Sequence, residues 1–245
     1  MSITISKYVA VINDLLKPFG ARLVSSDTDQ YDFISAIKRI QSHKFHIDNV
    51  IDIGGSDGNW SRRLLPYFPH ASFLIIEPLI ERASALRSLA KRCPNVSYEA
   101  CAAGETNGGQ ATLNVSDDLD GSTVNGSGGV PRQVPVKTID TIISERNLTG
   151  SFLLKFDTHG YEISILNGAT DTLKKTSIII MEVYNFKITE RTLRFHEMCA
   201  YMEDLGFRCY DIAGLMLRSY DKSLWQMDLC FCRADAPIFD YNKYR

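Results

Sequence analysis

A chain of 245 residues, 44% apolar and 23% charged, is long enough for one sizeable α/β core and too ordinary in composition to be disordered or collagen-like. Its net charge of −2, with both signs scattered, carries no electrostatic footprint for nucleic acid. No apolar stretch approaches the roughly 20 residues of a bilayer span, and Met1-Ser2-Ile3-Thr4-Ile5-Ser6-Lys7 lacks the basic segment and apolar core of a secretory signal, so a cytoplasmic protein is expected.

In chain order, residues 3–17 and 29–43 place Ile5, Val9, Ile12 and Leu16, then Phe33, Ile37 and Ile40, at helical spacing, and Asp27-Thr28-Asp29 offers cap chemistry to the second helix. They make an N-terminal helical extension, residues 1–47, that either packs on the domain or pairs two chains. The domain itself is expected over residues 48–245. It opens with strand 50–54, helix 59–67, strand 73–77, helix 79–91 and strand 96–101, an alternation that implies parallel strands with right-handed crossovers. Residues 104–131 break the pattern with many Gly, Ser, Asn and Asp around one alternating piece, Ala111-Thr112-Leu113-Asn114-Val115. So long a polar excursion predicts a mobile insertion folding over the acceptor. Regularity returns with Val134-Pro135-Val136, a helix over 138–146, strand 152–156 and a helix over 160–174. The very apolar strand 177–183 reads as central in a sheet. A helix over 190–205, strands near 207–212 and 227–233, and an irregular tail from Ala234 to Arg245 complete the chain.

The six cysteines (Cys93, Cys101, Cys199, Cys209, Cys230, Cys232) form no C-x-x-C pair and have no histidine at zinc spacing. They are expected as reduced thiols, several in the core, with Cys230 and Cys232 on one face of a strand.

The chemistry concentrates in the first strand–turn–helix unit. Asp52-Ile53-Gly54-Gly55-Ser56-Asp57-Gly58-Asn59-Trp60-Ser61 follows Asn49-Val50-Ile51, and a second apolar run, Phe73-Leu74-Ile75-Ile76, ends on Glu77. A Gly-rich turn after an acidic strand end admits a ligand to bare backbone, and the second carboxylate can accept hydrogen bonds from two ribose hydroxyls. The dinucleotide pattern G-x-G-x-x-G fails in both frames, with Ser56 and Asn59 after Gly54, and Asp57 and Trp60 after Gly55. Asp57 inside the turn would also repel a pyrophosphate at the helix N-terminus. S-adenosylmethionine, with its sulfonium and ammonium groups, suits this acidic rim better. A plain structural αβ turn is the competing reading.

Ligands of open α/β sheets bind beyond the carboxyl ends of the strands, which here are Asp52, Glu77, Cys101, Asp157 and Glu182. Four of the five are acidic, which favours function over simple helix capping, although Asp157 suits both. Trp60 either faces the sulfonium or belongs to the core. His159, between Thr158 and Gly160, is either a general base or a solvated loop histidine. His43, His46, His70 and His196 have no partners at motif spacing. Asp157, His159 and Glu182 could ligate magnesium, but nothing in the spacing requires a metal, and none is assigned.

Together Ile51-Asp52-Ile53-Gly54 through Ser61, Ile76-Glu77-Pro78, Thr138-Ile139-Asp140, Leu154 through Glu162, Leu166-Asn167-Gly168-Ala169 and Met181-Glu182-Val183 resemble the FkbM family of S-adenosylmethionine-dependent methyltransferases, over about residues 48–233. The resemblance implies a Rossmann-like class I methyltransferase fold: an α/β sheet of seven mostly parallel strands, the last antiparallel, flanked by helices. It also implies methyl transfer to a hydroxyl of a sugar-derived or secondary-metabolite acceptor. The expected cofactor contacts are Asp52, Gly54, Gly55, Ser56, Gly58, Asn59 and Trp60 in the turn, Glu77 and Pro78 at the ribose, and Ala100, Cys101 and Ala102 beside the adenine. Asp157 would face the reacting methyl group, with Asp157 or His159 as base and Glu182 positioning the acceptor. His159 stands where glutamate is frequent in the family, which leaves the base and any metal requirement open. The competing functions are a nicotinamide-dependent oxidoreductase and a catalytically silent protein that binds a nucleoside or a partner. Acceptor identity and oligomeric state have no sequence signal.

Overall fold

The computed structural model describes residues 11–19, 31–124, 126 and 128–244. Its elements are Phe33–Ser42 (α1), Asn49–Ile53 (β1), Asn59–Leu64 (α2), Ser72–Ile76 (β2), Ala83–Arg92 (α3), Val96–Glu99 (β3) and Ala102–Ala103 (β4). Then come Gln110–Val115 (β5), Thr123–Val124 (β6), Val130–Lys137 (β7), Ile139–Glu145 (α4), Phe152–Phe156 (β8), Glu162–Asn167 (α5) and Thr170–Leu173 (α6). Thr176–Tyr184 (β9), Phe195–Asp204 (α7), Phe207–Leu217 (β10) and Leu224–Arg233 (β11) follow. Among the described residues no helix is long and apolar enough to cross a membrane.

The main sheet has the order β10-β11-β9-β8-β1-β2-β3. β1 pairs in parallel with β2 on one side and β8 on the other, so all five of its residues are buried and both faces need apolar side chains. Val50 joins the core under one face while Ile51 and Ile53 join the core under the other. β8 pairs in parallel with β9, and β11 runs antiparallel between β9 and β10. This is the seven-stranded, mostly parallel sheet with an antiparallel last strand that the resemblance implied. From β1 the chain winds outward to β2 and β3 and later returns to add β8 and β9 on the other side of β1, which makes the space beyond these strand ends the switch point where ligands bind.

Of the helix expected over 3–17, residues 3–10 lie outside the described residues, as does the expected cap at Asp27-Thr28-Asp29; residues 11–16 are helical. Asp32 is the cap of α1, accepting from the N–H groups of Ile34 (2.8 Å) and Ser35 (3.2 Å). α1 then buries Ala36, Ile37 and Ile40 against the sheet, and Arg39 reaches Asp211 on β10 at 2.6 Å.

Several boundaries differ from the expectation for identifiable reasons. The helix expected over 160–174 breaks at Gly168, because Asp140 accepts from the N–H groups of Asp171 and Thr172 and starts α6 as a separate element. The strand expected over 96–101 ends in the main sheet at Glu99, and Ala102–Ala103 pairs instead with β7. The last hairpin is longer than expected and leaves Leu215, Met216 and Leu217 exposed at its tip.

The polar stretch 104–131 contributes β5, β6 and the start of β7 to a second sheet, of order β4-β7-β5-β6. β5 buries Ala111, Leu113 and Val115 on one face, together with Ala102 of β4, Val134 and Val136 of β7, and Leu79 from the main domain. One apolar face suffices for a small sheet, which is why its composition looked like loop.

Candidate active site

Beyond the carboxyl ends of β1, β2 and β8 lies a cleft of about 270 Å³, with Gly54, Ser56, Glu77, Asp157, His159 and Glu182 among its lining. Pro78, Cys101 and Ala102 line it too, and so do Leu113, Leu119, Asp120, Ser122 and Val124 of the second sheet and its β5–β6 connection.

Gly54 adopts φ +74°, and a Cβ there would stand 2.0 Å from the main-chain oxygen of Asp157. Only glycine lets the β1 turn pass so close to the β8 turn. Gly58 has φ +79° as the N-cap of α2, and its missing Cβ leaves room for Leu89 and Ile75. The two glycines thus serve different ends: one shapes the cleft and the other seats a helix. Gly55, Gly58, Asn59, Trp60 and Ala100 stand outside the cleft lining. Trp60 packs on Phe33 with centroids 5.4 Å apart, and the cation over its ring is the Lys155 ammonium at 5.7 Å.

Glu77 is buried, and its two oxygens accept from the N–H groups of Ser56 (2.9 Å) and Leu79 (2.8 Å). Burial raises its pKa, while those two N–H groups oppose the rise. Each oxygen keeps a further lone pair for a ligand hydroxyl. Asp52 lies beneath the cleft, wholly buried, with Oδ2 accepting from Ser61 Oγ at 2.7 Å. Its Oδ1 has no hydrogen-bond partner, the nearest cation being Lys155 Nζ at 3.5 Å. Burial pushes the Asp52 pKa up, against the pull of Lys155.

Lys155 is the residue that the sequence reading passed over. It sits in register with Asp52 in the middle of the sheet, 5% exposed, and donates to Asp157 Oδ2 at 2.7 Å. A buried ammonium is tolerable only when paired. Burial would lower its pKa, but Asp157 and Asp52 outweigh burial and raise it. Burial likewise pushes the Asp157 pKa up, and Lys155 and His159 more than reverse this, leaving Asp157 below its ordinary value and ionised at neutral pH.

His159 sits at φ +53° with Nδ1 2.7 Å from the Tyr184 hydroxyl and Nε2 2.8 Å from the main-chain oxygen of Asp120. The Tyr184 hydroxyl donates to Glu182 Oε1, and Gln226 Nε2 donates to Glu182 Oε2. Asp157, His159 and Glu182 place one donor atom each within 4.8 Å of one another. Both ring nitrogens are nonetheless committed to hydrogen bonds, so this donor set does not fit a divalent cation.

The connection between β5 and β6 closes over the cleft through Asp120. Its carboxylate accepts from Ser56 Oγ at 2.9 Å and pairs with Arg82 Nη2 at 2.5 Å, while its carbonyl faces His159. Nothing in the sequence marks Asp120, whose partners are distant along the chain.

The residues fit S-adenosylmethionine. The donor set is acidic where a positively charged nucleoside would lie, the Gly54 turn has no room for a side chain, and the buried Asp52 Oδ1 lacks a partner.

A family described as Methyltransferase FkbM domain matches residues 52–209, more than half of the chain. No curated protein matches the sequence. Among solved structures, an FkbM methyltransferase from Methylobacillus flagellatus is 19% identical, with a TM-score of 0.48 over 75% of this chain and 43% of that one. The chain therefore spans less than half the length of that relative. An S-adenosylmethionine-dependent methyltransferase from Clostridium acetobutylicum is 8% identical with a TM-score of 0.47, covering 94% of this chain and 99% of that one. A 1,6-didemethyltoxoflavin-N1-methyltransferase from Burkholderia thailandensis, solved with S-adenosylhomocysteine bound, is 11% identical with a TM-score of 0.47 over 82% and 77% of the two chains.

Proposed function

Because this chain belongs to the FkbM methyltransferase family, we propose that it transfers the methyl group of S-adenosylmethionine to a hydroxyl oxygen of a sugar-derived or secondary-metabolite acceptor. The observation that carries the reading is the meeting of the Gly54 turn, the Glu77 carboxylate and the Asp157 carboxylate in one cleft at the switch point of the sheet. S-adenosylmethionine, when bound, supplies a methyl carbon already activated by its sulfonium.

In this reading Glu77 accepts from the ribose hydroxyls, Ser56 and Pro78 border them, and Cys101 and Ala102 flank the adenine with Leu79. Asp52 acts from below, buried between Ser61 and Lys155. The chain's main contribution is alignment of two reactants, which can lower a barrier by roughly 7–11 kcal/mol. Asp157 is already ionised and held at one oxygen by Lys155; its other oxygen, 3.7 Å from His159 Nε2, orients the acceptor hydroxyl and takes its proton. Glu182, fixed by Tyr184 and Gln226, positions the acceptor. Metal removal is expected to leave turnover unchanged; loss of activity in a strong chelator, restored by magnesium, would contradict the assignment of these groups as hydrogen-bonding rather than ligating.

Asp157→Asn keeps the size of the side chain and removes the base. It is expected to leave S-adenosylhomocysteine affinity within a few-fold of wild type in calorimetry and to lower kcat by about 10²–10⁴-fold. An unchanged kcat takes Asp157 out of the mechanism. Absence of any binding heat with S-adenosylhomocysteine on well-folded protein, or a tight fit to NADH instead, would defeat the methyltransferase assignment for this chain.

A further inference from the structure

The hydrogen bonds around His159 specify its protonation. Nε2 faces the Asp120 carbonyl, an atom that only accepts, so Nε2 carries a proton. Tyr184 has a single hydroxyl proton, and with Glu182 as a carboxylate that proton goes to Glu182 Oε1. The Tyr184 oxygen must then accept from Nδ1–H. Both ring nitrogens are protonated.

We propose that His159 is a positioning residue: an imidazolium at neutral pH that fastens the Asp120 connection across the cleft to the carboxylates at the ends of β8 and β9. As an imidazolium it has no lone pair with which to take a proton, so the base role falls to Asp157; that corollary alone rests on the methyltransferase reading.

The charges around the ring agree. Asp157, itself paired with Lys155, faces it from the end of β8, Glu182 and Tyr184 from β9, Glu162 from α5, and Asp118 and the Asp120 carbonyl from the connection itself, the Asp120 carboxylate being paired with Arg82. Asp228 on β11 lies behind Glu182. Carboxylates outnumber the one ammonium. Burial would lower the His159 pKa, but the Glu182 carboxylate, 3.4 Å from Nδ1, and the Asp157 charge push it up to about 9. The fastening is therefore complete below the ordinary histidine pKa and is lost as pH rises through about 9.

The ring also has a mechanical place. The Asp120 carboxylate holds Ser56 and Arg82, so Asp120 is tied at three points around the cleft mouth. Leu119 and Ser122, on either side, line the cleft. The connection thus lines the same cleft as Glu77.

The test is ¹⁵N spectroscopy of the full chain together with S-adenosylhomocysteine dissociation rates across pH. In wild type at pH 7.5 both His159 nitrogens are expected at protonated shifts, titrating together near 9. The dissociation rate is expected to be flat from pH 6 to 8 and to rise about tenfold by pH 10, the loss of one charge-assisted hydrogen bond. His159→Gln should dissociate faster at pH 7.5 and show no such rise. Glu182→Gln, a milder change, should lower the His159 midpoint, because the ring loses the carboxylate charge 3.4 Å from Nδ1. A neutral ring at pH 7.5, or His159→Gln with the wild-type rate and pH dependence, overturns the proposal. If wild type fails to bind S-adenosylhomocysteine, the methyltransferase reading falls while the spectroscopy still decides the protonation of His159.

Discussion

Gly54 bears the tightest constraint at the level of single residues. Its positive φ and the 2.0 Å approach of a hypothetical Cβ to the Asp157 carbonyl act together. Gly54→Ala must strain the backbone and move the β8 turn that carries Asp157, Thr158 and His159. Positive-φ strain in a non-glycine residue is on the order of 1–3 kcal/mol, and displacement of the turn adds to it. Urea unfolding is expected to show at least that loss, with S-adenosylhomocysteine affinity falling in parallel; an alanine variant of wild-type stability would mean that the two turns are not in contact. Gly54, Glu77 and Asp157 were legible in the sequence because each follows an apolar run, and a strand end is a place that periodicity can locate. Lys155 carried a signal that went unused: a lysine inside Phe152-Leu153-Leu154-Lys155-Phe156 must be buried, and a buried ammonium implies carboxylates beside it. Asp120 carried none, since its role depends on Ser56, Arg82 and His159 meeting in space.

The second sheet shows at the level of elements what holds a cover in place. Besides the Asp120 contacts and the Lys137–Glu99 pair at 2.9 Å, two interactions that join it to the main domain invite comparison. One is the Glu81–Arg132 pair, with contacts of 2.7 and 2.9 Å, each side chain 36% exposed. The other is the apolar cluster that unites Leu113 of the sheet with Leu79 of the main domain. Solvent screening limits an exposed pair to about 0–1 kcal/mol, whereas truncating a buried leucine typically costs about 2–5 kcal/mol. The cluster dominates. Leu113→Ala is expected to open residues 104–131 to protease and weaken S-adenosylhomocysteine binding, and Glu81→Ala to change neither by more than about threefold. The reverse ranking would show that charge rather than packing fixes the sheet. The sequence pointed to this segment as an unusual excursion but not as a sheet, because β5 alternates over only six residues and its apolar partners on β7 are interrupted by Pro131 and Pro135. The cluster involves Leu79 and Ala102, which follow β2 and β3, so the cover lies on the side where the resemblance puts the adenosine.

Across the molecule, one face of the main sheet carries a strip of ionisable groups from strand to strand: Asp52 on β1, Lys155 on β8, Glu182 on β9 and Asp228 on β11. Asp52 and Lys155 are neighbours in register, and so are Glu182 and Asp228. The first pair is of opposite sign and the second of like sign, so the acidic excess gathers at the β9–β11 end. Burial first, and then the Glu182 charge, push the Asp228 pKa up to about 7, with Lys155 pulling the other way. The sign of the consequence follows from linkage. A carboxyl whose folded pKa lies above its unfolded value binds protons more tightly in the native state. Its favourable contribution is full below about pH 4 and is lost as pH rises through about 7. Asp52, Glu77 and Glu162 are raised as well and contribute in the same direction, so wild-type stability alone cannot isolate Asp228. The difference between wild type and Asp228→Asn can. Asparagine has no charge to bury, so the variant is expected to gain stability relative to wild type between pH 4 and pH 7. Above pH 8 the gain should reach about 1 kcal/mol or more, since one pKa unit corresponds to about 1.4 kcal/mol. Urea unfolding of both proteins at half-unit pH steps measures it. Two curves that run parallel from pH 4 to 8 would mean that Asp228 is hydrated and ionised throughout, and that the acidic strip ends at Glu182.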